Sequence, residues 1–138
     1  MSEHSGKVCP QSRPGTEPYW QACKRHEFLI QCCKECGHYQ FYPRIICTSC
    51  SSRKVEWVPA SGGGAVLTWT VVRRAVSNAY AADVPYIIAL IKLHEGPVLM
   101  SIIRGCEPES VRAGMAVEVS FENWSDQVSM PVFVTASG

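Results

Sequence analysis

Cys33-Lys34-Glu35-Cys36-Gly37-His38-Tyr39-Gln40-Phe41-Tyr42-Pro43-Arg44-Ile45-Ile46-Cys47-Thr48-Ser49-Cys50 holds two Cys-x-x-Cys pairs with ten residues between them. Each pair can present two thiolates on one tight turn, and two such turns facing each other complete a tetrahedral donor set. Four sulfurs at this spacing read as a closed structural zinc site with Cys33, Cys36, Cys47 and Cys50 as ligands. Iron accepts the same donor set, so spacing alone does not choose between the metals. Gly37 follows the first pair and suits the positive φ of a knuckle, whereas the second pair is followed by Ser51. Cys32 adjoins Cys33, and only Cys33 gives the x-x spacing with Cys36. Cys32 is therefore expected to point away as a buried neutral thiol. The competing interpretation, two disulfides, disagrees with a chain whose first residues lack the apolar core of a signal peptide.

Before the first pair, Thr16–Arg25 reads as a short helix, capped by Thr16 with Glu17 and Pro18 in its first turn. Tyr19, Trp20 and Cys23 make one apolar stripe on it. The stripe suits either the chain's own core or a partner, so Tyr19 and Trp20 are candidate partner-binding residues. Residues 1–15, polar with two prolines, read as a mobile tail. Glu27–Cys32, Tyr39–Tyr42 and Arg53–Val58 read as three strands around the knuckles.

Pro59-Ala60-Ser61-Gly62-Gly63-Gly64 reads as a linker and the main internal boundary. It lacks the Lys-Ser/Thr and helix of a phosphate loop. Beyond it, period-two patterns dominate. Strands are expected over Ala65–Arg74, Pro85–His94, Pro97–Arg104, Met115–Trp124 and Met130–Thr135, with a helical turn inside Gly105–Gly114. The fold class is mainly β: a short helix and rubredoxin-like ribbon over 16–58, then a five-stranded OB-fold barrel over 59–138.

The chain has 138 residues, 46% hydrophobic and 18% charged, with a net charge of +1. That supports a packed core and gives little footprint for general nucleic-acid binding. The longest apolar run, Val84–Ile91, is too short to span a bilayer. Eight cysteines without a secretory leader point to a reducing compartment, the cytoplasm. No histidine among the four forms a recognisable pattern with a nucleophile. Cys106 reads as a small core residue.

The order of pieces carries a resemblance. A Tyr-Trp helix is followed by Cys-x-x-Cys-Gly, Tyr42-Pro43-Arg44-x-x-Cys-x-x-Cys, Trp57 and Ser61-Gly62-x-Gly64. Thr70-Val71-Val72, Pro85-Tyr86, Glu95-Gly96, Gly114-Met115-x-Val117 and Pro131-x-Phe133 complete it. Over residues 16–135 this resembles the bacterial and archaeal family that joins a rubredoxin-like zinc ribbon to an OB-fold. Ser51 stands where that family carries glycine. The resemblance implies an accessory role beside thiolase-like enzymes: acetoacetyl-CoA thiolase with hydroxymethylglutaryl-CoA synthase, side-chain-cleaving aldolases of steroid breakdown, acyltransferases of phenolic pathways, and thiolases of aromatic degradation. It implies a non-catalytic subunit with one structural zinc, bridging or stabilising a hetero-oligomer and sharing coenzyme A or acyl-CoA. Arg44, Arg73 and Arg74 are the candidates for coenzyme A phosphates, because guanidinium forks suit phosphate oxygens. The alternative class is a single-stranded nucleic-acid-binding protein, in which Trp57, Trp69 and Trp124 would stack on bases. A redox iron carrier is the third.

Overall fold

The computed structural model describes residues 9–11 and 13–136. Most of the expected tail, 1–8 and residue 12, lies outside them. Helix α1 spans Glu17–Lys24, with an acid in its first turn and Lys24 in its last, as the helix dipole favours. Thr16 occupies the N-cap position but makes no side-chain cap. Its hydroxyl instead accepts from the Arg13 N–H and donates to the Arg13 carbonyl, both at 2.9 Å. The helix ends in a left-handed turn at His26, φ 61°. There the Glu27 N–H reaches back to the Ala22 carbonyl at 2.8 Å and the His26 N–H to that of Cys23. Histidine tolerates the site because its ring stacks on Phe121 at 5.1 Å and its Nε2 donates to Asn123 Oδ1.

Strands β1 (Leu29–Cys33), β2 (Tyr39–Gln40) and β3 (Val55–Pro59) form an antiparallel sheet in the order β2-β1-β3. The second strand is shorter than Tyr39–Tyr42 because Pro43 has no N–H to continue a ladder. Strands β4 (Gly63–Val72), β5 (Tyr86–Leu93), β6 (Val98–Arg104), β7 (Ala116–Asn123) and β8 (Ser129–Thr135) close a barrel in the order β4-β5-β6-β8-β7. Short 3-10 turns stand at Asn78–Tyr80 and Pro108–Ser110. This is the five-stranded OB-fold expected, with β6 and β8 as its parallel pair.

The glycine run is not a linker. Gly63 and Gly64 are the first two residues of β4; Gly63 pairs with β7, and Gly64 with both β7 and β5. A Cβ on Gly64 would stand 2.6 Å from the Lys92 carbonyl oxygen and 2.9 Å from an Ile91 methyl. Glycine here lets two strands meet at the barrel's closing seam. Gly64→Ala is expected to force β4 off β5 and cost about 1–3 kcal/mol, read as a lower denaturation midpoint.

Ribbon and barrel share one core. Tyr19, Cys23, Phe28 and Ile30 pack with Val66, Ile87, Ile91, Leu99, Val117 and Phe133 in a single buried cluster. Phe28 meets Phe133 edge-on at 6.2 Å between centroids, the aromatic joint between the two units.

Candidate metal centre

The two knuckles are built alike. In the first, the Gly37 N–H bonds to the Cys33 carbonyl at 2.9 Å and the Cys33 N–H to that of His38 at 2.9 Å. In the second, Ser51 bonds to Cys47 at 2.9 Å and Cys47 to Ser52 at 2.8 Å. Gly37 has φ 78° and Ser51 takes the same left-handed conformation at 65°. The second knuckle thus forms without glycine, at the cost of holding an L-residue in a strained region. Ser51→Gly is expected to stabilise the chain by about 0.5–1 kcal/mol, because the strain relieved exceeds the added freedom of the unfolded chain. A higher melting midpoint with unchanged metal stoichiometry is the readout.

The sulfurs of Cys33, Cys36, Cys47 and Cys50 all lie within 4.8 Å of one another. Cys33 is 3.6 Å from Cys50, and Cys36 is 3.6 Å from Cys47. A tetrahedral site with metal–sulfur bonds of 2.3 Å has edges of about 3.8 Å, so the donor set fits such an ion. Amide N–H groups aim at the sulfurs: Glu35 at Cys33, and Ser49 and Cys50 at Cys47. The four are not disulfide-bonded.

The thiols differ in acidity. The Cys36 amide, followed by that of Glu35 and the neighbouring thiols, holds Cys33 down at about 6 against desolvation. Cys47 is lowered too, its amide contacts outweighing desolvation. At Cys50 the Ser52 amide pulls downward, but desolvation and three neighbouring sulfurs outweigh it and push the thiol up to about 12. Cys36 is raised in the same way against the His38 amide. Four thiolates cannot share this space without a cation between them. Four such sulfurs would fill the coordination of a tetrahedral ion and leave it no open position for a substrate.

Cys32 points away from the centre, as expected, with its sulfur 3.8 Å from the Cys33 and Gly37 carbonyls. It is half-buried rather than buried: it shares a face of β1 with the core residue Ile30 but lies near the strand end, beside the knuckle. Cys23 is the core thiol, and burial pushes it up to about 11. Cys106 packs partly buried against the barrel core.

Two glutamines that sequence reasoning passed over brace the loop between the knuckles. Gln31 and Gln40, 5% and 7% exposed, face each other across β1 and β2. Gln40 Nε2 donates to Gln31 Oε1 at 2.8 Å and to the Ile46 carbonyl at 3.2 Å. Gln31 Oε1 also accepts the Arg44 N–H, and its Nε2 donates to the Arg44 carbonyl. Gln40 Oε1 accepts from the Thr48 N–H and hydroxyl. A polar residue at each inward strand position was the signal available.

The other candidates scatter. Tyr19 is buried among Trp20, Phe28, Phe41 and Trp57 in the chain's own core, while Trp20 is half-buried. Arg44 is exposed and bonds to the Pro43 carbonyl. Arg73 and Arg74 lie just past the end of β4, exposed, with Arg73 3.8 Å from Glu109. Trp124 is 7% exposed with its Nε1 on Glu122, and Trp57 packs against the core. Of the three tryptophans proposed to stack on bases, Trp69 alone is exposed. An OB-fold receives oligonucleotides on the wall formed here by β5 and β6. That wall carries Ile88, Leu90, Met100 and Ile102, with Lys92 at one end. No helix among the described residues is long and apolar enough to cross a membrane.

Comparison with known proteins agrees with this architecture. Residues 20–56 match the family model described as the ChsH2 rubredoxin-like zinc ribbon domain, and 57–122 the ChsH2 C-terminal OB-fold domain. A "DUF35 domain-containing scaffold protein" of Pyrococcus furiosus is 41% identical over 101 residues, 73% of this chain and 74% of that one. The "3-oxo-4,17-pregnadiene-20-carboxyl-CoA hydratase alpha subunit" of Mycobacterium tuberculosis is 30% identical over 119 residues, 84% of this chain and 37% of that longer protein. A solved "Ltp2-ChsH2(DUF35) aldolase" chain superposes with a TM-score of 0.83 at 27% identity, covering 93% of this chain and 99% of that one.

Proposed function

Because this chain belongs to the family that joins a ChsH2-type rubredoxin-like zinc ribbon to a ChsH2-type OB-fold, we propose that it is the non-catalytic, zinc-binding subunit of an acyl-CoA enzyme complex. The catalytic partner is thiolase-like, makes or breaks a carbon–carbon bond in a CoA thioester, and works with this chain in a cytoplasmic hetero-oligomer. The observation that carries this reading is the fit to a chain solved as part of an aldolase whose description names two components, at 99% coverage of that chain. The names of the scaffold and hydratase-subunit relatives support the same class of role.

What this chain's residues do follows from the site. The four cysteines would hold zinc, which supplies cross-linking of the two knuckles. The ribbon then sets the knuckle loop, and the joint at Phe28 and Phe133 fixes the ribbon on the barrel. Thr48 has a histidine beside it, His38 Nε2 at 3.1 Å, but its hydroxyl donates to Gln40 Oε1, so the imidazole is a donor there and not a base; bond-making is assigned to the partner. Exposed Arg44, Arg73 and Arg74 would meet coenzyme A phosphates at the shared site.

The test is purification from native cells through a tag at Met1, with the partner identified by peptide mapping. A stoichiometric acyl-CoA enzyme subunit, whose thiolysis, condensation or aldol cleavage falls when this chain is removed, is the expected result. Recovery of the chain with nucleic acid or alone overturns the reading.

A further inference from the structure

The buried Gln31–Gln40 pair raises a question that metal binding does not answer. Its amides grip the backbone of Arg44, Ile46 and Thr48 from within. What they hold in place is apolar and faces outward: Tyr42 is 51% exposed, Ile45 74% and Ile46 36%. A loop that had only to link two knuckles has no need of isoleucines in water. The apolar strip continues onto the barrel. The Met100 N–H donates to the Tyr42 hydroxyl at 3.4 Å, and Met100, itself 63% exposed, stands opposite Leu90 across β5 and β6. Large apolar side chains on a rigid backbone lose little entropy when they are covered, which is the profile of an interface anchor.

Charge says what covers the strip. Apart from the metal-ligating thiols Cys47 and Cys50, the only charged side chain from residue 39 to 52 is Arg44, and from 84 to 93 the only one is Lys92; neither stretch has a carboxylate. Among the described residues no carboxylate pairs with Arg44, whose guanidinium bonds to the Pro43 carbonyl. A second copy docked by two-fold symmetry on this loop would bring another arginine to the seam and no carboxylate from the loop to meet either. Two cations are also too few for a nucleic-acid backbone. We infer that the Tyr42–Ile46 loop together with Met100 and Leu90 is the docking surface for the catalytic subunit, which presents an apolar pocket with anionic groups at the rim facing Arg44. This rests on the proposed function and locates its interface. Gln31 and Gln40 are positioning residues that hold the loop in its docking shape.

The experiment uses the full chain, metal-loaded, and the acyl-CoA enzyme subunit recovered with it, expressed separately. Ile45→Asp and Met100→Asp are each expected to weaken association at least a hundredfold. Metal stoichiometry and melting midpoint should stay at wild-type values, since both side chains lie in solvent. Ile45→Leu should restore binding. Arg44→Glu should weaken association about tenfold at low salt and less at high salt, as screening requires. Wild-type affinity in both aspartate variants overturns the inference while leaving the proposed function standing. So does a self-associated chain that Ile45→Asp converts to monomer. Failure to recover any acyl-CoA enzyme subunit overturns both.

Discussion

Replacing Cys33 and Cys36 together by serine is expected to abolish metal binding and melt the ribbon. Binding of structural zinc to small ribbons contributes about 10–16 kcal/mol in apparent terms, comparable with the whole stability of a domain. Little else holds the two knuckles together: β2 has two residues, and each knuckle is one turn of chain. The damage reaches the barrel, because Phe28 and Ile30 leave the core they share with Phe133 when β1 melts. Metal analysis should fall from one ion per chain to near zero, and hydrogen exchange should rise first across residues 29–59. A variant that keeps its metal and its melting midpoint would remove the metal from the account of folding. Acid should act in the same direction. Cys50 and Cys36, both raised, carry protons at neutral pH that the metal must displace, so at least two protons leave on binding and affinity falls as pH falls. Below about pH 6 Cys33 also protonates and steepens the loss. Metal affinity, and with it the ribbon's stability, is therefore highest on the alkaline side of neutrality and lost on acidification.

Phe133→Ala is the second large effect. Phe133 is 1% exposed, sits on β8 where it pairs with Val119 and Ile103, and meets the Phe28 ring. Truncation removes the aromatic joint and leaves a cavity where ribbon and barrel meet. The cost is about 3–5 kcal/mol. For a chain of this size that lowers the melting midpoint by roughly 10–20 °C. If the ribbon and barrel folded independently, two transitions would be seen in the wild type, and the variant would shift only the later one. One cooperative transition that moves as a whole is expected from the shared core.

The metal ligands were legible because they are a local pattern. Two residues between cysteines set a turn, and ten between the pairs set a return path. The rejection of Cys32 also came from spacing, and its sulfur does point away. The five barrel strands were legible from alternation, within two residues at each end. The glycine run misled because its signal is ambiguous. Flexible linkers and strands that approach another backbone closely both favour glycine, and only the 2.6 Å approach to the Lys92 carbonyl separates them. The stripe on the helix was ambiguous for a similar reason: Tyr19 and Cys23 suit a core or a partner equally until Phe28, Phe41 and Trp57 are brought around them.

By itself the sequence determined a four-sulfur centre, a β-rich ribbon before a five-stranded barrel, and a chain too close to neutral for general nucleic-acid binding. These are properties of covalent neighbours and of totals, and need no folding to be read. Tertiary structure decided the rest. It made one core of two units through Phe28 and Phe133, put Ser51 into a glycine's conformation, turned Gln31 and Gln40 inward as a brace, and left Ile45 in solvent. Each of those outcomes depends on residues distant in the chain arriving at the same place, and burial, unlike periodicity, exists only once they have.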